Sequence, residues 1–86
     1  MSRTEGAFNL NYYVTEKGYQ LELEKARHLK ETEKIIIEIL KDDPLNTNAL
    51  KSQLEDKDIS INYATVKNHL DFLIKEGLVD LRWKKD

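Results

Sequence analysis

The chain has 86 residues, room for one small domain that buries roughly 60–65% of its unfolded surface, and not for two lobes or a doubly wound sheet. It has no cysteine, which excludes a disulfide framework and a thiolate zinc site, and no apolar run exceeds three residues, far short of the ~20 that span a bilayer. Net charge is −2, with 35% charged and 40% apolar residues, the balance of a folded domain rather than a disordered segment. In chain order, residues 7–14 come first. Phe8, Leu10, Tyr12 and Val14 alternate with Asn9, Asn11 and Tyr13, a period of two that predicts a strand. Thr15 followed by Glu16 reads as a helix N-cap with an acid in the first turn. Gly18 weakens a helix there and leaves a hairpin open, turning at Thr15–Gly18 with Tyr19–Leu23 as second strand. From Glu22 to Lys41 nearly every residue is a good helix former, with no Pro and no Gly, and the reading taken is one long helix over 16–42. Leu29, Ile36 and Leu40 form one apolar stripe on it. Leu21, His28, Ile35 and Ile39 form a second, more than a quarter-turn away. Asp42-Asp43-Pro44 stops the helix, because a residue before proline disfavours the α region.

A second helix is predicted over 47–57, capped by Thr47 or Asn48, with Leu50 and Leu54 as its apolar edge. A third runs over 60–76, capped by Ser60 or Asn62, with Val66, Leu70, Leu73 and Ile74 at the spacing of one buried face. Gly77 stands where a left-handed residue ends a helix, and Leu78 can then fold back on Leu73. Residues 78–84 alternate again, Val79, Leu81 and Trp83 against Asp80, Arg82 and Lys84, and predict a half-buried strand.

Charge is unevenly spread. Residues 1–34 carry six positive and six negative charges, residues 35–58 three and six, and residues 59–86 five and four. An anionic partner is therefore expected at the C-terminal third, where Arg82, Lys84 and Lys85 cluster. Met1–Gly6 lacks the apolar core of a signal peptide, so a cytoplasmic, soluble protein is expected.

The segment Thr65-Val66-Lys67-Asn68-His69-Leu70-Asp71-Phe72-Leu73-Ile74-Lys75-Glu76-Gly77-Leu78-Val79 resembles the recognition helix and following turn of ArsR- and MarR-type regulators. Their pattern there is roughly T-V-x-x-H-L-x-x-L-x-x-x-G-L-V, and every fixed position is matched. The order helix, Pro-containing turn, helix, turn, helix, Gly, strand is likewise similar to the winged helix-turn-helix superfamily, over about residues 30–83. Residues 11–21 resemble another part of such regulators, the wing's return strand and the start of the helix after it, roughly Y-x-L-T-E-K-G. In the family that strand follows the recognition helix; here it stands at the N-terminus. The implied fold is mostly α with a small β-sheet, one domain over 1–86. It is a winged helix-turn-helix whose strand 7–14 pairs antiparallel with strand 78–84, as a permuted wing or as one exchanged between subunits.

The resemblance implies binding to double-stranded DNA, probed by the N-terminal half of the third helix in the major groove. Ser60, Asn62, Tyr63, Thr65, Lys67 and Asn68 lie there. Asn suits adenine, Lys suits guanine, and Ser or Tyr suits phosphate. No intact wing tip would reach the minor groove, so Arg3 at one end and Lys84 and Lys85 at the other would have to replace it, with Arg82 a further candidate DNA contact. The second apolar stripe, Leu21, His28, Ile35 and Ile39, is the expected homodimer contact. The plainer reading of a polar helix face is that water covers it. His69 reads as a packing or hydrogen-bonding residue, and Trp83 as a core-facing strand residue. With His28 and His69 alone and no Cys, neither a metal nor another cofactor is expected. The chain shows no nucleophile–base pair, Gly-rich phosphate loop or H-E-x-x-H motif, so it is not read as an enzyme. A small dimeric transcriptional regulator is thus expected. The alternative is a winged-helix protein-interaction module of a larger complex, its acidic 35–58 segment meeting a basic partner.

Overall fold

Strand β1 (Leu10–Val14) is followed by α1 (Glu16–Gln20), a 3-10 turn (Leu23–Lys25), α2 (Glu31–Asp42), α3 (Thr47–Asp56), α4 (Tyr63–Lys75) and strand β2 (Val79–Trp83). The computed structural model describes residues 10–83, with Trp83 placed by its backbone alone. Phe8 and Arg3 of the N-terminal segment, and Lys84 and Lys85, lie outside the described residues. Among the described residues the fold is mostly helical, with four helices and one two-stranded antiparallel sheet.

The two strands, each predicted by its alternation, come from opposite ends of the chain and pair antiparallel, as the resemblance implies. Val14 faces Val79, Tyr12 faces Leu81 and Leu10 faces Trp83; Tyr13 faces Asp80 and Asn11 faces Arg82. The side-chain period of two puts Val14, Val79, Tyr12, Leu81 and Leu10 on one face and the last two pairs on the opposite face. Tyr12, Val14 and Val79 are buried, so the first face is the one turned to the helices. A one-residue slip would bring Asn11 and Tyr13 into the core, which fixes the register. β1 is also held from its other edge. The Tyr12 N–H donates to the Leu45 carbonyl (2.8 Å) and the Leu45 N–H donates to the Tyr12 carbonyl (3.2 Å).

The core is made where α2, α3, α4 and the sheet meet. Ile36, Ile37 and Leu40 of α2, Leu50 and Leu54 of α3, and Val66, Leu70 and Leu73 of α4 are fully buried, as are Leu78 and Val79 beyond α4. Within each helix these positions lie together on one face. Asn46, just before the two residues expected to cap α3, is the actual cap: its side chain accepts the Ala49 N–H at 2.8 Å. Asn62 caps α4 in the same way through the Thr65 N–H, 2.8 Å. The far end of α4 closes as its sequence predicts. Gly77 has φ +80°, the Leu78 N–H donates to the Leu73 carbonyl (3.0 Å) and the Gly77 N–H to the Ile74 carbonyl (2.9 Å).

One expectation is overturned. Residues 16–42 do not form one helix. The chain leaves helical geometry at Leu21 (ψ 132°), makes a single 3-10 turn, and enters α2 at Glu31. The alternative hairpin at Thr15–Gly18 does not form either, since Thr15 caps α1 by accepting the Gly18 N–H at 3.1 Å. Helix propensity over 22–30 is high, but an unbroken helix of this length would reach about 40 Å. Its first half would project past the core with nothing to pack on, and packing is what stabilises helices in water. Folding back instead buries Ala26 and Leu29 and lays Leu21 and Leu23 against the core.

The stripe expected to be the dimer contact is dismantled by the same break. Ile39 is buried within the chain, and Ile35 is half-buried beside Leu21 and Leu23. His28 is exposed and lies near Glu76, with Nε2 3.9 Å from a carboxylate oxygen. Leu21, His28, Ile35 and Ile39 do not form one helix face; the chain itself covers Ile39 and leaves Leu21 and Ile35 half-buried. The argument that they need a second subunit no longer holds.

Candidate nucleic-acid interface

α4 is fastened at both ends. At its start the Asn62 side-chain oxygen takes up a free amide of the first turn, while its NH₂ stays on the exposed side. At its end the segment after β1 closes over the last carbonyls. The Thr15 hydroxyl donates to the Gly77 carbonyl (2.7 Å), the Lys17 ammonium to the Glu76 carbonyl (2.9 Å), and the Thr15 N–H to the Leu78 carbonyl (3.0 Å). A cation at a helix C-terminus also faces the negative end of the helix dipole. Gly18 makes this contact possible. A Cβ there would overlap the Leu78 carbonyl and come within 2.6 Å of Val14 Cγ1.

In the middle, α4 is tied to α2. His69 Nδ1 is 2.8 Å from Glu33 Oε2, and Glu33 is buried at 4% exposure. The other oxygen of Glu33 accepts the Lys30 N–H at 2.9 Å, at the start of α2. An ionised carboxylate only accepts, so the ring donates through Nδ1–H. His69 is thus a hydrogen-bonding residue between two helices, as the plainer reading has it. Among the described residues no group of three or more His, Cys, Asp or Glu side chains is placed to hold a metal.

Between these ties the helix offers its N-terminal half. Ser60, in the preceding turn, and Asn68 are exposed, and Tyr63 is 47% exposed. Thr65 and Lys67 are half-buried. Lys67 leans toward the sheet. The Tyr12 hydroxyl beside it is the main reason its pKa lies above the ordinary lysine value, with Asp71 and Tyr63 adding to the effect and partial burial opposing it. Lys67 is therefore a full cation at any physiological pH. It borders an open cleft of about 380 Å³ between the sheet, the start of α3 and α4, lined by Leu10, Tyr12, Asn48, Tyr63 and Leu81 among others. Arg82 is on the opposite, outer face of the sheet, its guanidinium 4.3 Å from the centre of the Tyr13 ring. Arg82 and the α4 residues therefore do not share a face.

The cleft was not foreseen. Its signal was present, because Tyr63, Lys67 and Asp71 follow one another at four-residue steps and must share a side of α4. That this side meets Tyr12, from the far end of the chain, is not a local property. Comparison of the chain with family models, with curated proteins and with solved structures finds no match.

Proposed function

We propose that the protein binds double-stranded DNA sequence-specifically, as a small cytoplasmic transcriptional regulator acting as a homodimer on a winged helix-turn-helix scaffold. The observation that carries this reading is the way α4 is presented. It is a 13-residue helix capped at both ends and tied to α2 in its middle, with Tyr63 and Asn68 exposed on its N-terminal half and Ser60 exposed just before it. A rigid helix with polar groups on its leading half suits the major groove. The order α2, α3, α4, β2 follows the pattern of the family that the sequence resembles. β1 pairs with β2 where a wing's return strand would stand, which supports the permuted wing formed within one chain. Lys67, beside Tyr12 and Tyr63, suits a backbone phosphate as well as a base edge.

A mobility-shift assay with a salt titration tests the reading. Binding should weaken steeply as salt rises, because phosphate contacts release counterions. Asn68→Ala should cost about 1–3 kcal/mol of specific binding and leave the melting temperature unchanged, because the side chain is exposed. If no DNA binds with a salt-dependent affinity, the reading falls. The protein-interaction module then takes its place, supported by the exposed acids Asp42, Asp43, Glu55, Asp56 and Asp58.

A further inference from the structure

The two strands of the sheet differ in their surroundings. β1 is bonded along both edges, to β2 on one side and to Leu45 on the other. Among the described residues no strand runs along the far edge of β2. The Tyr12 N–H and carbonyl both bond Leu45, so they point away from β2. Tyr12 faces Leu81, which makes this a non-hydrogen-bonded pair and turns the N–H and carbonyl of Leu81 outward. That N–H is met by the carboxylate of the preceding residue, Asp80 Oδ1, at 2.8 Å. An outward row of backbone groups centred on a leucine that is 37% exposed is a template for another strand.

The sequence of β2 says which strand fits. In Asp80-Leu81-Arg82 an acid and a base stand equally far on either side of the leucine. When two copies pair antiparallel about a two-fold axis at Leu81, Leu81 faces Leu81 and each Asp80 faces an Arg82. Both charges project from the outer face of the sheet, and Arg82 is already held there by the Tyr13 ring. The neighbouring two-fold registers put Asp80 opposite Asp80, or Arg82 opposite Arg82, and like charges directly opposite are destabilising. One register is thus favoured and its neighbours are disfavoured by the same two residues.

We propose that β2 is the contact between two copies of the chain, pairing antiparallel about Leu81 and joining the two sheets into one of four strands. This rests on the homodimer of the proposed function and names where its halves meet, in place of the dismantled helix stripe. On pairing, the Leu81 N–H exchanges Asp80 for the Leu81 carbonyl of the second copy, and the freed carboxylate turns to Arg82 of that copy. Five-residue strands bury little surface, so the dimer is weak and forms with concentration.

Sedimentation of the full chain over a concentration series, with Asp80→Arg, Arg82→Asp and the double variant, tests it. Each single variant sets like charges opposite each other twice per dimer and should raise the dissociation constant about tenfold or more. The double variant restores opposite charges and should return to within about threefold of the original. In parallel, amide exchange at Leu81 should slow with protein concentration. A dimer indifferent to the single reversals overturns the β2 contact but leaves the homodimer. A chain that stays monomeric overturns both, and leaves salt-dependent DNA binding to be judged by its own assay. Should a single variant unfold, Leu81 exchange in the unaltered chain decides: exchange that does not change with concentration overturns the proposal.

Discussion

Gly18→Ala is expected to destabilise the protein and lower its melting temperature by about 5–15 °C. Two effects oppose each other at this position. Gly18 lies inside α1, where alanine is the better helix former by about 1 kcal/mol. Against that, the added Cβ would overlap the Leu78 carbonyl and press on Val14 Cγ1 at 2.6 Å. Both neighbours are fixed. The carbonyl accepts the Thr15 N–H, and Val14 is buried in β1 opposite Val79. Relief requires α1 to move off the end of α4, which lengthens the Thr15 and Lys17 bonds to the Gly77 and Glu76 carbonyls. With both neighbours fixed, overpacking costs about 2–3 kcal/mol, which leaves a net loss of about 1–2 kcal/mol after the propensity gain. The control is Gly77→Ala. At φ +80° it strains the backbone by about 1 kcal/mol, but the added Cβ meets nothing closer than the flexible Lys17 side chain at 3.6 Å. Thermal melts of the two variants settle the order. A melting temperature that rises on Gly18→Ala would mean that α1 does not sit against the end of α4.

How far the sequence discloses this fold depends on whether the deciding interaction is local. The Schellman turn at Gly77 and the two strands were legible, because a few adjacent residues set each of them. Pairing of β1 with β2 was legible for a different reason: residues 11–21 resemble a wing's return strand, and that resemblance implies a partner in the strand after Gly77. The long helix misled because residues 22–30 satisfy local propensity and the deciding term is the burial of Ala26 and Leu29 from a folded-back chain. The candidate interface was legible in its exposed members, Ser60, Tyr63 and Asn68. It was illegible at Lys67, because Tyr12 reaches it from the other end of the chain. Asn62 reads from the sequence both as a cap and as a base-contacting residue, and the structure shows the cap. The two roles use the same amide group, and only the position of the Thr65 N–H tells them apart.

Removing the Glu33 carboxylate is expected to have the larger effect, about 2–4 kcal/mol on Glu33→Ala, against a total of about 4–13 kcal/mol for a domain of this size. One side chain does two things here. Its Oε1 accepts the Lys30 N–H at the start of α2, half of a capping box, and losing such a cap costs about 1 kcal/mol. Lys30 cannot complete the box, since an ammonium has no lone pair to accept the amide of the third helical residue. The second oxygen holds His69 Nδ1 at 2.8 Å, with the imidazole itself only 14% exposed. Without Glu33 that N–H is left in a nearly dry site, a further penalty of about 1–3 kcal/mol. Glu33→Gln should be much milder. Its amide oxygen can still accept the Lys30 N–H, and its NH₂ can donate to His69 Nδ1 once the ring takes its other neutral tautomer. His69→Ala alone should cost less than Glu33→Ala, because the capping bond survives. A double-mutant cycle reads the pair directly. Combining Glu33→Ala with His69→Ala should recover about 1–2 kcal/mol relative to the sum of the single losses, since the orphaned N–H is no longer present. Strictly additive losses in chemical denaturation would show that the two side chains act apart, and that α4 is not tied to α2 through them.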